Sequence, residues 1–319
     1  MQDLRLIDMA RYARVPIELN LEPNDRVVLI TDRQMDPLVW QAFLIAARQL
    51  GADPTLVMIP PLRFPHDNPN AIAAAAMNEA DLILAVTSHA FTHSQVAVDA
   101  MAQGKRYLML EELKPEHLVT GGATADYHAM QKVAERIEAM LANARTVRIT
   151  TDRGMDLTAS IEGRPAFSTV GVARGRGVKL RAGGFPDGVI HLCPVEGTGE
   201  GRVVVDVSIH GIGALKEPVS FDVRGGRVVS RFSGGAEAQR LQELFEREGD
   251  ADCWNCPAQM GFGINPQALS RGNVREEKKK LGHAGIAIGA NWDLGGTVKS
   301  RLHVDCMARG ATIEAQAIV

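Results

Sequence analysis

The chain has 319 residues, of which 45% are hydrophobic and 23% are charged, and its formal net charge is −3. These values are typical of a globular protein with room for two domains and exclude a largely disordered chain. Lys and Arg are not in excess, so a nucleic-acid partner is not indicated. The sequence shows neither a signal peptide nor an apolar run of about 18–20 residues, so a membrane partner is not indicated either. We therefore expect a cytoplasmic protein that acts on a small molecule.

Strand-like and helix-like segments alternate in the first part of the chain. The expected strands are VVLIT (27–31), TLVMI (55–59), DLILAV (81–86) and KRYLML (105–110), and the expected helices cover 37–51, 71–80, 93–103 and 126–144. Strands that alternate with helices favour right-handed crossovers and a parallel sheet. Residues 1–145 are therefore predicted to form a Rossmann-like α/β domain.

The loops at the carboxyl ends of these strands hold two candidate catalytic histidines. The first strand is followed by DRQMDP rather than by G-x-G-x-x-G, so a dinucleotide cofactor is not supported. His93, in THS (92–94), lies where open α/β sheets bind ligands and is a candidate general base. His89, in the same loop, is the alternative, and a histidine that only faces solvent is the simpler interpretation of either.

From Thr146 onwards, short β-like segments are separated by glycines, which predicts an antiparallel β-rich α+β domain over residues 146–319. Gly225 and Gly226 in RGGRVV signal a two-residue hairpin. A helix is expected over 236–248. The charged run REEKKK is most simply an exposed helix face, and the alternative is that Glu276 or Glu277 lies close enough to the site to orient a ligand. His191, on the strand after P-D-G, is interpreted as a packed, hydrogen-bonded histidine, with a side chain that points into the cleft as the alternative.

Two of the four cysteines, Cys253 and Cys256, have the C-x-x-C spacing of CWNC. This spacing occurs in redox dithiols and in halves of zinc sites, but no second C-x-x-C follows and the pair does not open a helix after a strand. Packing of two small side chains in a loop is the favoured interpretation.

The segment RLHVDC (301–306) places a histidine and an aspartate at alternate positions of a predicted strand. His303 and Asp305 then share one face. The turn-like NWDLGG makes LGHAGIAIG (281–289) the antiparallel partner, with His283 roughly opposite Asp305. Two imidazoles and a carboxylate suit a mononuclear Fe(II) site or a hydrolytic zinc site, whereas a polar strand face is the simpler alternative.

The blocks AQMGFGINPQA and EEKKKLGHAGIAIGANWDLGGTVKSRLHVDC carry a family resemblance. They resemble the C-terminal region shared by the thermophilic-type metallo-aminopeptidases and the Fe(II)-dependent 2,5-dihydroxypyridine 5,6-dioxygenases. The similarity extends through DLILAVTSHAFTHSQVAVDAMAQGKRYLML and FPDGVIHLCPVEG, and so covers most of the chain.

The resemblance implies that His303 and Asp305 are metal ligands. The aminopeptidases have acidic ligands where this chain has Val189 and Gln259, and a histidine at Gly285; the dioxygenases have a histidine at Gln259. A co-catalytic metal pair needs such carboxylates, so an aminopeptidase is disfavoured. A mononuclear site of His283, His303 and Asp305 with Gln259 beside them stays possible.

We therefore expect a ring-cleaving dioxygenase that uses Fe(II) and O2 on a small hydroxylated N-heteroaromatic compound such as a dihydroxypyridine. The alternatives are a Zn(II)- or Mn(II)-dependent aminopeptidase or amidohydrolase on the same scaffold, and a metal-free binding protein. Arg174, Arg176, Lys179 and Arg181 form a basic loop that suits an anionic substrate or simply faces solvent. By resemblance alone, a homo-oligomer is expected.

Overall fold

The computed structural model describes residues 2–63, 67–173, 182–272 and 274–317. Contacts between Cα atoms divide the chain into two units, Met1–Tyr127 with Thr169–Asp187, and His128–Ser168 with Gly188–Val319. This division departs from the predicted single boundary at residue 145, because residues 169–187 return to the first unit. Among the described residues, no helix has both the length and the apolar character needed to cross a membrane.

The first unit contains the predicted parallel sheet. Its helices are α1 (Gln2–Glu18), α2 (Pro37–Gln49), α3 (Ala71–Glu79) and α4 (Gln95–Ala102), and its strands include β1 (Val27–Asp32), β2 (Thr55–Ile59), β3 (Leu82–Val86) and β4 (Arg106–Met109). Helix α5 (Tyr127–Leu141) begins at Tyr127, where the division between the two units falls. These strands and helices confirm the alternation read from the sequence.

The β-rich part begins with β5 (Ala144–Thr151), β6 (Asp156–Ser160), β7 (Phe167–Thr169), β8 (Ala182–Gly184) and β9 (Val189–Leu192). It continues with β10 (Glu200–Val205), β11 (Ser208–Ile209), β12 (Gly213–Ala214), β13 (Val219–Arg224), β14 (Arg227–Val228), α6 (Ala236–Glu248) and β15 (Gln259–Gly263). The last elements are α7 (Val274–Glu277), β16 (His283–Gly289), β17 (His303–Arg309) and β18 (Ala311–Ala317).

Three sheets result. The parallel sheet has the order β2-β1-β3-β4-β8, in which β8 is the strand that the sequence did not predict. The antiparallel sheets have the orders β14-β13-β10-β6-β5-β18 and β12-β11-β17-β16-β15-β9-β7. This mixture confirms the predicted fold class, an α/β part with a parallel sheet followed by a β-rich α+β part.

Local sequence signals explain several element ends. Asp36 caps α2 and Ser94 caps α4, each by accepting a backbone N–H bond within the first helical turn. Gly225 and Gly226 both have positive φ, as a tight hairpin turn between β13 and β14 requires, which confirms the predicted hairpin. All seven residues of β16 (His283–Gly289) are buried, and β16 is the central strand of the seven-stranded sheet. The site described next lies on this strand and its two neighbours.

Candidate active site around Asp305

Three neighbouring strands bring the candidate site together. In the register of the seven-stranded sheet, Ala287 of β16 lies between Gln259 of β15 and Asp305 of β17. Directly opposed residues of antiparallel strands project from the same face, so the Gln259 and Asp305 side chains flank a small alanine. His303 precedes Asp305 by two residues and shares this face.

A backbone carbonyl fixes the His303 imidazole. Its Nδ1 atom lies 2.7 Å from the carbonyl oxygen of Ala290 and therefore carries the hydrogen that is donated. The other nitrogen, Nε2, lies 3.8 Å from Oδ1 of Asp305. Burial lowers the pKa of His303, although the Asp305 charge opposes this effect. A neutral ring results, with the Nε2 lone pair on the Asp305 side, as in metal-binding histidines whose second nitrogen bonds a carbonyl.

The ammonium group of Lys278 lies against the same carboxylate. Its Nζ atom is 3.0 Å from both oxygens of Asp305 and 3.5 Å from Oε1 of Gln259. Burial by itself would raise the pKa of Asp305, but the charge and hydrogen bonds of the Lys278 ammonium hold it below its usual range. Asp305 is therefore a carboxylate that already has a cationic partner.

A buried hydrogen-bond chain extends from Lys278 to His191. The Gln259 amide donates to Nδ1 of His191 through a very short contact, and its oxygen faces Lys278. The His191 ring stacks on Phe167 with ring centroids 4.9 Å apart. Burial, followed by the Lys278 charge, holds the pKa of His191 well below its ordinary value, so a neutral ring accepts this bond. His191 is packed and hydrogen-bonded, as predicted, but it also belongs to the site.

The prediction for His283 is wrong in register. His283 lies opposite Arg309, whereas Gly289 lies opposite His303 and Ala287 lies opposite Asp305. His283 is thus four residues, about 13 Å, from the position predicted for it. The cause is the connection 290–302, which is longer than the expected tight turn: Asn291 holds it closed through its backbone bonds to Leu294, Gly296 and Val298.

The charged run REEKKK also differs from its prediction. Helix α7 is short, and Glu277 within it is only 1% exposed. Its carboxylate accepts bonds from the hydroxyls of Ser208 and Ser270 and from the N–H of Gly272. Glu277 thus anchors the segment that carries Lys278, which sequence reasoning assigned to an exposed helix face.

No three His, Cys, Asp or Glu side chains form a metal-binding group within residues 2–63, 67–173, 182–272 and 274–317. The Lys278 ammonium instead faces one carboxylate, that of Asp305, and one amide oxygen, that of Gln259, and the His303 imidazole lies 3.8 Å from the carboxylate. Val189 and Gly285, at the positions of two aminopeptidase ligands, offer no ligand atoms in their side chains. Gln259 lies beside Lys278; the metal-binding roles of Gln259, His303 and Asp305 stay predictions.

The two candidate catalytic histidines belong to the first unit. His89 is exposed, and its Nδ1 atom lies 3.1 Å from the Ser88 hydroxyl. That hydroxyl also donates to Asp32 at the end of β1. His93 is half-buried and precedes the capping residue Ser94. The catalytic roles of both histidines stay predictions.

Two further sequence features contribute less. Cys253 and Cys256 are free and buried, and burial raises the pKa of both thiols. The basic side chains Arg174, Arg176, Lys179 and Arg181 lie outside the described residues.

The sequence matches one family, described as 2,5-dihydroxypyridine 5,6-dioxygenase (NicX), over residues 11–317. A solved structure of 2,5-dihydroxypyridine dioxygenase from Pseudomonas putida KT2440 has a TM-score of 0.78 at 21% identity, and the alignment covers 96% of this chain and 93% of that chain. Wild-type AmpT from Thermus thermophilus has a TM-score of 0.69 at 14% identity, covering 98% and 95%. At these identities the structures establish the fold. No curated protein sequence matches the chain.

Proposed function

The chain belongs to the 2,5-dihydroxypyridine 5,6-dioxygenase family of ring-cleaving dioxygenases, and we propose that its own substrate is a small hydroxylated nitrogen heteroaromatic ring such as a dihydroxypyridine. The family match over residues 11–317 is the observation that carries this proposal. Molecular oxygen is the co-substrate that ring cleavage by a dioxygenase requires.

The family is metal-dependent, and the donor set around Asp305 fits a divalent cation. The Lys278 ammonium acts as a stand-in cation there, between the Asp305 carboxylate and the Gln259 amide oxygen. The Nε2 atom of His303 lies 3.8 Å from Oδ1 of the same carboxylate and is left unprotonated by the bond from Nδ1 to Ala290. We propose that His303, Asp305 and Gln259 hold Fe(II), since imidazole and carboxylate with open positions are typical of non-haem iron sites. Fe(II) supplies the redox chemistry by which O2 reacts with an aromatic ring.

The surrounding residues orient these donors. Nδ1 of His191 accepts a hydrogen bond from the NH2 group of Gln259, so the amide oxygen of Gln259 faces the position of the Lys278 ammonium. The Ala290 carbonyl fixes the His303 ring in the tautomer whose Nε2 is unprotonated. Because both contacts are buried or half-buried, the donors are preorganised before any ion or substrate binds.

We also propose that His93 removes a proton from a substrate hydroxyl, with His89 as the alternative base. An imidazole near neutrality is suited to this step, because an aromatic hydroxylate is more electron-rich than the hydroxyl and reacts more readily with an oxidant. The predicted cytoplasmic location and homo-oligomeric state belong to the same proposal.

The metallo-aminopeptidase alternative has less support. A two-ion site needs several carboxylates to hold the ions about 3.5–4 Å apart, and Asp305 is the only carboxylate among the positions discussed, since Val189, Gln259 and Gly285 are uncharged. A zinc- or manganese-dependent hydrolase with one ion would use the same donors and is separated from the dioxygenase by its reaction.

The test is oxygen uptake by the anaerobically purified, Fe(II)-loaded protein with 2,5-dihydroxypyridine. We expect O2 and substrate to be consumed one for one, and His303→Ala and Asp305→Asn to lose this activity. Aminoacyl amides serve as the control substrates. Release of amine from those amides without O2 uptake would favour the hydrolase, and full activity of His303→Ala would contradict the proposed site.

A further inference from the structure

The position of Lys278 has a consequence for metal binding. Its Nζ atom contacts both oxygens of Asp305 and faces Oε1 of Gln259, and the two charged side chains are each 16% exposed. A metal ion held by the carboxylate and the amide would need the same oxygen lone pairs. The ammonium and a divalent cation therefore compete for one position, both through space and through like-charge repulsion.

Lys278 is held at this position by the fold. Glu277, the residue before it, is anchored by Ser208, Ser270 and Gly272. Ser208 lies on β11, which pairs with β17 beside Asp305. The backbone N–H of Lys278 also bonds the carbonyl of Val274, which keeps the lysine in register with α7. An anchored backbone limits where a lysine side chain can reach, so the contact with Asp305 is part of the architecture.

The chemistry of the ligands also favours the ammonium over a metal ion. Gln259 offers a neutral amide oxygen, which binds Fe(II) more weakly than an imidazole. The Lys278 ammonium instead matches the site in charge and can donate several bonds to oxygen acceptors. Metal loss would therefore leave a closed, charge-balanced site rather than an exposed carboxylate.

We infer that Lys278 is an internal occupant of the cation position, and that a divalent ion binds at Asp305 only when the ammonium moves away. This inference rests on the proposed metal site but not on the reaction. It implies weak, exchangeable metal binding: the protein alternates between a lysine-closed state and a metal-loaded state.

The first test measures Co(II) binding to the metal-free protein by calorimetry, without substrate. We expect Lys278→Met to bind Co(II) at least tenfold more tightly than the wild type, and Lys278→Arg to bind no more tightly than the wild type. Lys280→Met, which removes the same charge from the same segment, is the matched control and should stay within about twofold. Equal affinity in the wild type and Lys278→Met would overturn the inference, as would binding by neither.

A second measurement uses the wild-type protein and does not depend on a folded variant. Amine acylation, located by mass spectrometry, should be slow at Lys278 in the metal-free protein and faster at saturating Co(II), with Lys280 unchanged. If labelling of Lys278 does not rise on metal saturation, the ammonium does not leave, and the inference fails. Failure of the proposed reaction is separate, because it would appear as absent O2 uptake while these metal-binding results still hold.

Discussion

The Nζ atom of Lys278 lies 3.0 Å from each carboxylate oxygen of Asp305, and this ion pair is the main charged contact of the candidate site. Both side chains are mostly buried. A pair of this kind is costly to break from one side, because the remaining charge is left without a partner in a low-dielectric environment.

The first prediction is a double-mutant cycle on this pair. Lys278→Met and Asp305→Asn should each lower the free energy of unfolding by about 3 kcal/mol, the low end for buried pairs, since some solvent reaches both groups. The double variant should cost less than the sum, with a coupling of about 1–3 kcal/mol by urea denaturation. The exposed pair Arg148–Asp156 is the control, with an expected coupling below about 1 kcal/mol. Additive effects at Lys278 and Asp305 would contradict the buried ion pair.

The second prediction concerns the anchor of the Lys278 segment. Glu277→Gln should lower the free energy of unfolding by about 1–3 kcal/mol, because the buried carboxylate accepts bonds from two hydroxyls and a backbone N–H. The exposed Glu243, which accepts a bond from Gln239 along α6, is the control, and its change to Gln should be nearly neutral. Similar stability loss for both variants, by thermal and urea denaturation, would argue against the anchoring role.

Periodicity was sufficient to predict most of the fold. The apolar runs of β1 and β3 are continuous because both faces of these inner strands are covered. Helix α2, by contrast, buries one stripe of residues at helical spacing. Strand β8 was not predicted because the three residues Ala182–Gly184 carry no such pattern. Its pairing with β4 is decided by contacts across the chain rather than by local sequence.

The candidate site was predicted in part. His303 and Asp305 share a face in any strand, because side chains alternate with a period of two. The partner of Asp305 depends on the length of the connection 290–302, and a slip of four residues keeps the face while changing the neighbour from His283 to Ala287. Lys278 was missed because a lysine in a charged run is usually solvated, and only its tertiary contact with Asp305 distinguishes it.

The third prediction is a pH dependence of stability through His191. Its folded pKa lies well below the ordinary value of about 6.5 because of burial and the Lys278 charge, with Lys279 and His303 adding to the decrease and Asp305 opposing it. The unfolded chain therefore binds the proton more readily, so stability is full above about pH 6.5 and falls as the pH decreases below it, by at most about 1.4 kcal/mol per pH unit.

His191→Gln should flatten this decline, because glutamine keeps a hydrogen-bonding side chain but does not titrate. The measurement is urea denaturation of both proteins at pH 7.5, 6.5 and 5.5. A residual slope is expected from His283, whose pKa is also lowered by burial. Identical slopes for the two proteins would show that His191 takes up a proton equally in the folded and unfolded states.

The fourth prediction separates the two candidate bases. His93→Gln should lower kcat for O2 uptake with 2,5-dihydroxypyridine by roughly 10²–10⁴, the range for loss of a general base. His89→Gln should change kcat by less than about threefold, since the exposed His89 contacts Ser88 rather than a buried group. The steady-state pH profile of each variant is the accompanying measurement, and the reverse pattern would assign the base to His89.

The fifth prediction tests how the backbone positions His303. Gly289 lies opposite His303 and has a φ of +113°, and a Cβ at this glycine would collide with the carbonyl oxygen of Leu302. Gly289→Ala should therefore lower the free energy of unfolding by about 1–3 kcal/mol and should also weaken Co(II) binding, because the strand pair must separate beside a proposed ligand.

Gly310 is the matched control for that experiment. It has a φ of +64° in the turn between β17 and β18, and a Cβ there would meet no atom within 4 Å. Gly310→Ala should thus carry only the conformational strain of the left-handed region, about 1 kcal/mol, with unchanged Co(II) affinity. Because the two variants differ in the collision near His303, weaker metal binding in Gly289→Ala alone would connect the ligand geometry to the β16–β17 register. Equal loss in both would place the effect in general stability.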